Sequence, residues 1–261
     1  MTKNMGGTFK RVEKKYLLTK EQAHELFAVL GDRAVMDAYG LHTVCNIYYD
    51  TENHELVRRS IDKPVYKEKL RLRSYGIPSE DSSVYLELKK KWKGTVYKRR
   101  TEMPMHTAKA YLERDVYPVE YDCQILKEID YALHFYPLQP SLFLAYDREA
   151  YNLVGQDNVR FTIDRRIRSR EEELNLLAGD EGELLFDEDI RVLELKAPIA
   201  LPKWFVSLLS ELRIYPNSFS KYGSIYKEKK HHIHTYLNGM EEILSFWDGA
   251  PIEKEPETIV M

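Results

Sequence analysis

An α+β protein is expected here: about eight strands, mostly antiparallel, with helices inserted between them. Three features of the 261 residues carry that expectation. Segments rich in β-branched and aromatic residues alternate in polarity and are joined by short links, which suits antiparallel neighbours. Other stretches change to three- and four-residue apolar spacing, the period of a helix. Strand after strand also puts apolar side chains on one face and Lys, Arg and Glu on the other.

The elements follow in order. FKRVEKKYLL (9–18) alternates and gives way at Thr19 to TKEQAHELFAVL. Thr19 with Gln22 forms a capping-box pattern, and Leu26, Val29 and Leu30 fit one helical face. VCNIYYD (44–50), KEKLRLRSY (67–75), VYLELKKK (84–91) and TVYKRRTEM (95–103) read as strands. The last two are joined across Trp92-Lys93-Gly94, a link short enough for a hairpin. TAKAYLERD (107–115) and CQILKEIDYALHFY (123–136) read as helices, and Pro137 and Pro140 break the chain after them. Strands resume with SLFLAYDREAY (141–151), NVRFTIDRRIRS (158–169) and IRVLELKAP (190–198). PKWFVSLLSELRI (202–214) has Pro near its start and an apolar stripe, so it reads as a helix, and 220–237 reads as a terminal one. No repeat or linker divides the chain. One domain over 1–240 is expected, followed by an acidic, Pro-containing tail over 241–261 with the composition of disorder.

Composition excludes several classes. At 43% hydrophobic, 31% charged and a net charge of −3, the chain is not a basic nucleic-acid coat. Aromatic residues do not lie regularly among the cations as stacking platforms would, so no nucleic-acid partner is expected. Cys45 and Cys123 form no CxxC and read as free thiols. The N-terminus lacks the apolar core of a secretion signal and no apolar run approaches the roughly 20 residues of a membrane span, which points to a cytoplasmic protein. No P-loop, GxGxxG, HExxH or Ser-His-Asp order is present.

The charged faces carry the chemistry. In YKEKLRLRSY (66–75), Lys67, Lys69, Arg71 and Arg73 share one face, and Leu70 and Leu72 the other. The same inversion puts Glu87 with Lys89, Lys98 with Arg100, Glu13 with Lys15, Tyr146 with Arg148, and Glu194 with Lys196. Two architectures fit this pattern. One is an open sheet with its charged side in water. The other is a closed barrel whose charged faces line the interior while helices cover the leucine-bearing outside. Cations so enclosed repel one another, by about 4 kcal/mol for a like pair 4 Å apart at an effective dielectric near 20. A polyanion must fill such an interior. The recurring Glu-x-Lys then reads as carboxylate for a Mg²⁺- or Mn²⁺-type cation shared with a chain of phosphates.

RVEKKY, IYYDT, KLRLRSY, LELKKK, YKRR, AYDREAY, RFTIDR, VLELK and FSKYG stand in the order found in the VTC domain, and residues 9–237 resemble that family of triphosphate tunnel metalloenzymes. The resemblance implies a closed antiparallel eight-stranded β-barrel with helices packed outside. It also implies synthesis of polyphosphate from ATP with a divalent metal, Mn²⁺ or Mg²⁺. Triphosphate or polyphosphate hydrolysis is the second reading, and binding without turnover the third. Carried over residue by residue, Lys89, Arg71, Arg73 and Lys98 become the catalytic cations. Lys15, Arg100, Arg148, Lys196, Lys221, Tyr75 and Lys69 become phosphate-chain contacts. Glu194 becomes the metal-binding carboxylate; Glu87 and Glu13 either share that metal or pair with neighbouring lysines. The resemblance departs before FSKY: the polymerase pattern has a second lysine there, and this chain has Asn217 and Ser218. The chain also lacks the membrane segments of the eukaryotic polymerase, which leaves room for a separate membrane protein partner.

Two further features are weighed as bland. His231 and His234 offer an i,i+3 pair, but without an acidic partner at helical spacing they read as a solvated face. The acidic stretch 171–189 reads as a solvated connection.

Overall fold

The computed structural model describes residues 12–62, 64–156, 159–198 and 200–229. β1 (Val12–Thr19) passes directly into α1 (Lys20–Leu30). The capping box is present in both directions: Thr19 Oγ1 accepts from the Gln22 amide at 3.2 Å, and Gln22 Oε1 accepts from the Thr19 amide at 3.1 Å. β2 (Ala34–Met36), β3 (His42–Asp50) and the short α2 (Glu55–Ile61) follow. Then come β4 (Tyr66–Tyr75), β5 (Ser83–Trp92) and β6 (Thr95–Pro104). Lys93 and Gly94 both take positive φ, 47° and 84°, the two-residue turn that matches strand twist. α3 (Met105–Arg114) and α4 (Gln124–Phe135) precede β7 (Gln139–Leu153) and β8 (Arg160–Arg170). β9 (Glu183–Leu184), β10 (Ile190–Ala197) and α5 (Lys203–Glu211) complete the series, and 221–229 is helical.

The strands form one antiparallel sheet in the order β1-β10-β8-β7-β3-β4-β5-β6, with β2 added to β7 and β9 to β8. The expected eight strands are therefore the continuous path of a ten-stranded sheet. Closure into a barrel is not seen in the hydrogen bonding: among the described residues β1 and β6 do not pair. The free edge of β1 is occupied instead by the segment after α5, through a Tyr16–Pro216 bridge and an Asn217 amide donating to Lys15 O at 2.7 Å.

Apolar faces pack outward, as the alternation requires. Ile47, Leu70, Leu72, Leu86 and Leu88 are buried with Ala108 of α3 and Leu126 and Ile129 of α4. Phe161, Leu193 and Leu195 are buried with Leu26 and Leu30 of α1 and Phe205 and Leu209 of α5. Helices thus take one side of the sheet, and the charged faces are left on the other.

That other side is concave. Six steps separate β1 from β5 in the strand order, about 28 Å in a flat sheet. Even so, residues 217–220 reach from β1 to β4: the Asn217 amide donates to Lys15 O at 2.7 Å, and Ser220 Oγ accepts from Lys69 Nζ at 3.0 Å. Three residue steps span at most about 11 Å, far less than a flat sheet requires. The right-handed strand twist has rolled the sheet until its two ends face each other.

Three elements were not expected. β2 and β9 are three- and two-residue edge pieces too short to show a period. α2 is held from outside its own sequence: Asp50 Oδ1 accepts from the Leu56 amide at 2.8 Å and Oδ2 from the Val57 amide at 2.9 Å. Cys45 is a buried free thiol pushed up to about 11 by burial; Cys123 is free and half-buried, and its Sγ accepts from the Leu126 amide at the start of α4. The chain divides after Gly223 into units 1–223 and 224–261. No helix among the described residues is long and apolar enough to cross a membrane. His231, His232, His234 and the 241–261 tail lie outside the described residues.

Candidate functional site

Strand register assembles the site. On the β3–β6 half, Lys98, Lys89 and Lys69 lie side by side. The next row is Arg100, Glu87, Arg71 and Tyr48, and the next holds Tyr85, Arg73 and Asn46. On the other half Arg148 lies opposite Asp164, Thr162 opposite Glu194, Glu194 opposite Lys15, and Lys196 opposite Glu13. A period-two strand delivers each of these to one face, so the cationic alternation seen in sequence becomes two charged halves joined across Asn46 and Tyr48 of β3.

Glu87 is the hub of the first half. Its side chain is 2% exposed, and Arg71 Nε and Nη2 approach Oε2 at 2.7 and 2.5 Å. Lys98 Nζ lies 2.8 Å from Oε1, with Arg73 Nη1 and Arg100 Nε at 3.7 Å. Burial pushes its carboxyl up, but Arg71, Arg73 and Lys98 outweigh that and hold it well below the usual carboxylate range. Arg73 is itself buried, donating from Nε to Asn46 Oδ1 at 2.8 Å and from Nη2 to the Tyr146 hydroxyl at 3.2 Å.

Lys69 and Tyr48 are a coupled pair. Burial lowers Lys69 to about 8, against the opposing pull of Tyr48, with Lys67, Lys15 and Lys89 adding to the drop. Burial raises the Tyr48 phenol, yet Arg71, Lys69 and Arg73 bring it down to about 8. Arg71 Nη1 donates to Tyr48 Oη at 3.1 Å, and Lys69 Nζ donates to Ser220 Oγ at 3.0 Å.

Across the concavity, Asp164 is fully buried. Arg148 donates to it from Nε and Nη2 at 2.7 and 2.8 Å, and Lys221 Nζ donates at 2.6 Å. Burial opposes ionisation of Asp164, but Lys221 and Arg148 prevail and bring it to about 2. Both Arg148 and Lys221 also lie over the Tyr146 ring, at 4.9 and 4.6 Å from its centroid. Glu194 sits 2.8 Å from Lys196 and 3.8 Å from Lys15, whose charges hold its carboxyl low against burial. Three polar atoms here, Glu87 Oε1, Arg100 Nε and Thr162 Oγ1, are buried without a hydrogen bond among the described residues, although the first two lie 3.7 Å apart as an ion pair.

The expected residues thus all reach the charged face, but the three carboxylates do not gather. Among the described residues no group of three or more His, Cys, Asp and Glu is placed to hold a metal. Glu87 is enclosed by cations, and Glu13 lies 3.9 Å from Lys15. Glu194 is different: the unpartnered Thr162 hydroxyl lies beside it in register. One carboxylate and one hydroxyl suit a hard cation that draws its remaining ligands from phosphate and water, as Mg²⁺ does.

Sequence reasoning put Thr162 and Asp164 on the polar face of their strand but named neither them nor Asn46 and Tyr48 as site residues. Their signal was available. Asn46 and Tyr48 alternate with Cys45, Ile47 and Tyr49, and Thr162 and Asp164 alternate with Phe161 and Ile163, so period two assigns all four to the cationic side. Ser220 and Tyr222 carried no such signal, since they arrive from the segment after α5.

Solved structures share this fold. A candidate adenylate cyclase from Bacillus halodurans matches over 80% of this chain and 93% of its own, at 15% identity and a TM-score of 0.50. A candidate adenylyl cyclase from Hippeastrum, described as having a dominant triphosphatase activity, matches over 84% and 96%, at 15% identity and a TM-score of 0.51. No curated protein sequence matches. The profile of the VTC domain matches residues 10–228, and the chain belongs to the VTC domain family.

Proposed function

We propose that this protein transfers the γ-phosphoryl group of ATP to the terminal phosphate of a growing polyphosphate, inside a cationic tunnel formed by the concave face. The observation that supports this most is the lining itself. Lys98, Lys89 and Lys69 stand in register on β6, β5 and β4, Lys15 and Lys196 line β1 and β10, and Arg100 Nε is buried without a hydrogen bond among the described residues. An unsatisfied buried donor costs about 1–3 kcal/mol, a cost that an anionic oxygen removes.

Phosphoryl transfer asks the protein for positioning and charge neutralisation rather than covalent chemistry. Arg71, Arg73, Lys89, Lys98 and Arg100 hold the triphosphate, with Arg forks making paired contacts and Lys supplying point charge. Lys15, Lys196, Arg148, Lys221 and Lys69 hold the acceptor chain. A terminal phosphate oxygen of the acceptor forms a bond to the γ-phosphorus while the bond to the β,γ-bridging oxygen breaks, and ADP leaves with those electrons. Glu194 and Thr162 would hold a divalent cation, which supplies charge neutralisation on phosphate oxygens. Glu87 serves as the internal counter-ion that keeps Arg71, Arg73 and Lys98 in place before phosphate arrives.

Hydrolysis is the second reading, favoured by the triphosphatase activity described for the Hippeastrum protein of similar fold. The two differ in whether phosphate or water accepts the phosphoryl group. Incubation of pure protein with ATP and Mn²⁺, followed by separate measurement of long-chain polymer and free phosphate, distinguishes them. Polymer with matching ADP is the expected result. Free phosphate without polymer refutes synthesis, and bound, intact ATP refutes both enzymatic readings.

A further inference from the structure

Along the inward face of β4 the sequence runs Lys69, Arg71, Arg73, Tyr75, in steps of about 6.8 Å. Three cations are followed by a ring. On β5 the same direction reads Lys89, Glu87, Tyr85, and Arg73 lies opposite Tyr85. Beyond the cations, the lining changes from charged to aromatic at one end.

The rings there form a chain. Tyr75 and Tyr85 meet edge to face with centroids 5.6 Å apart, His42 and Tyr75 at 5.9 Å, and Tyr39 and His42 at 6.3 Å. Tyr39 is 80% exposed and Tyr75 49%. The opposite end of β4 is covered: Lys67 Nζ donates to Ser60 O at 2.8 Å on α2, and buried Tyr48 stacks on buried Tyr222 at 4.8 Å. A ligand laid along these cations has its open end at the aromatic rim.

One bland account is that the rings only hold Arg100, whose guanidinium carbon lies 3.5 Å from the Tyr85 centroid and 5.6 Å from that of Tyr75. That explains Tyr85 and part of Tyr75. His42 and Tyr39 extend the chain outward from Tyr75, one and two rings beyond it, and an edge-to-face chain leaves ring faces open to a further planar group. Cations in series ending in open ring faces match a string of phosphates ending in a nucleobase.

We infer that the rim of Tyr39, His42 and Tyr75 stacks the base of a nucleoside triphosphate whose phosphates lie on Arg73 and Arg71 and point toward Lys69 on the acceptor side; this rests on the phosphate-binding reading above. The rim selects a nucleotide donor over inorganic polyphosphate at this end of the face. Ring stacking tolerates any base, so the preference is for a nucleoside rather than for adenine.

The test compares dissociation constants for ATP and for inorganic tripolyphosphate, at equal Mn²⁺, in wild-type protein, Tyr75→Ala, Tyr39→Ala and Tyr75→Phe. The alanine variants should bind ATP about tenfold more weakly, the range of one lost stacking contact, with a smaller change for tripolyphosphate. Tyr75→Phe should retain ATP binding because it keeps the ring. Equal losses for both ligands would show that the rings act only through Arg100 and would overturn the inference. So would ATP binding indifferent to both alanine variants while tripolyphosphate still binds wild-type protein. Wild-type protein that bound neither ligand would overturn the phosphate reading itself.

Discussion

Replacing Glu87 with glutamine keeps its shape and removes its charge, which leaves Arg71, Arg73, Lys98 and Arg100 facing one another. The cost can be apportioned by exposure. Arg71 and Arg73 have side chains 23% and 6% exposed, whereas Lys98 is 49% exposed and largely screened. Breaking a buried pair costs roughly 3–5 kcal/mol, and the open side of this cluster puts Glu87→Gln near the lower end, at about 3 kcal/mol. For a domain of this size that is a fall in Tm of about 6–12 °C. Urea unfolding at pH 7 measures it. The sign with pH follows from the depressed carboxyl: the stabilisation is present above the unfolded value of 4.5 and is lost as pH falls through the folded one, so variant and wild type converge in acid. Tripolyphosphate should stabilise the variant more than the wild type, because added anion replaces the missing carboxylate. A variant within 1 kcal/mol of wild type at pH 7, with equal gain from tripolyphosphate, would refute Glu87 as the counter-ion of these cations.

Asp164→Asn should remove the part of the stability-versus-pH curve that lies between about 4 and 2. The wild-type carboxylate, at about 2 when folded against 3.8 unfolded, stabilises fully above that window by about 2 kcal/mol and loses this as it protonates; an unchanged acid-unfolding curve would disprove it. Tripolyphosphate affinity should fall as pH rises through about 8, where Lys69 and Tyr48 both release protons and the face loses positive charge. Calorimetric titrations at pH 7 and 9 test this, and Lys69→Arg should reduce the dependence, since arginine stays charged. Glu194→Gln should weaken Mn²⁺ binding in the presence of tripolyphosphate by at least the order of tenfold typical of supporting metal ligands. Undiminished Mn²⁺ affinity would place the cation elsewhere.

Much of the fold was legible because its elements obey one local rule each. The Thr19–Gln22 box, the Lys93-Gly94 turn and the alternation of Leu70 and Leu72 with Lys69, Arg71 and Arg73 are properties of neighbours within a few residues. The helices of α3 and α4 could be read within about two residues at each end for the same reason. Elements held by distant partners were invisible. α2 is capped by the buried carboxylate of Asp50, and the outer edge of β1 is satisfied by Pro216 and Asn217. Neither relation leaves a period in the chain.

For the site, alternation specified which residues share a face, and with it the cationic side of every strand. Which of two architectures used that face, solvated or enclosed, was beyond local pattern. Strand twist, helix packing and edge pairing decide curvature, and they curl the sheet until the short segment 217–220 reaches both Lys15 and Lys69. Strand pairing made Glu87 a counter-ion among four cations, and the segment after α5 put Lys221, 57 residues away in sequence, on Asp164. The types of charge came from composition along each strand; their partners came from three dimensions, because ion pairs form between strands while sequence records only what lies along one.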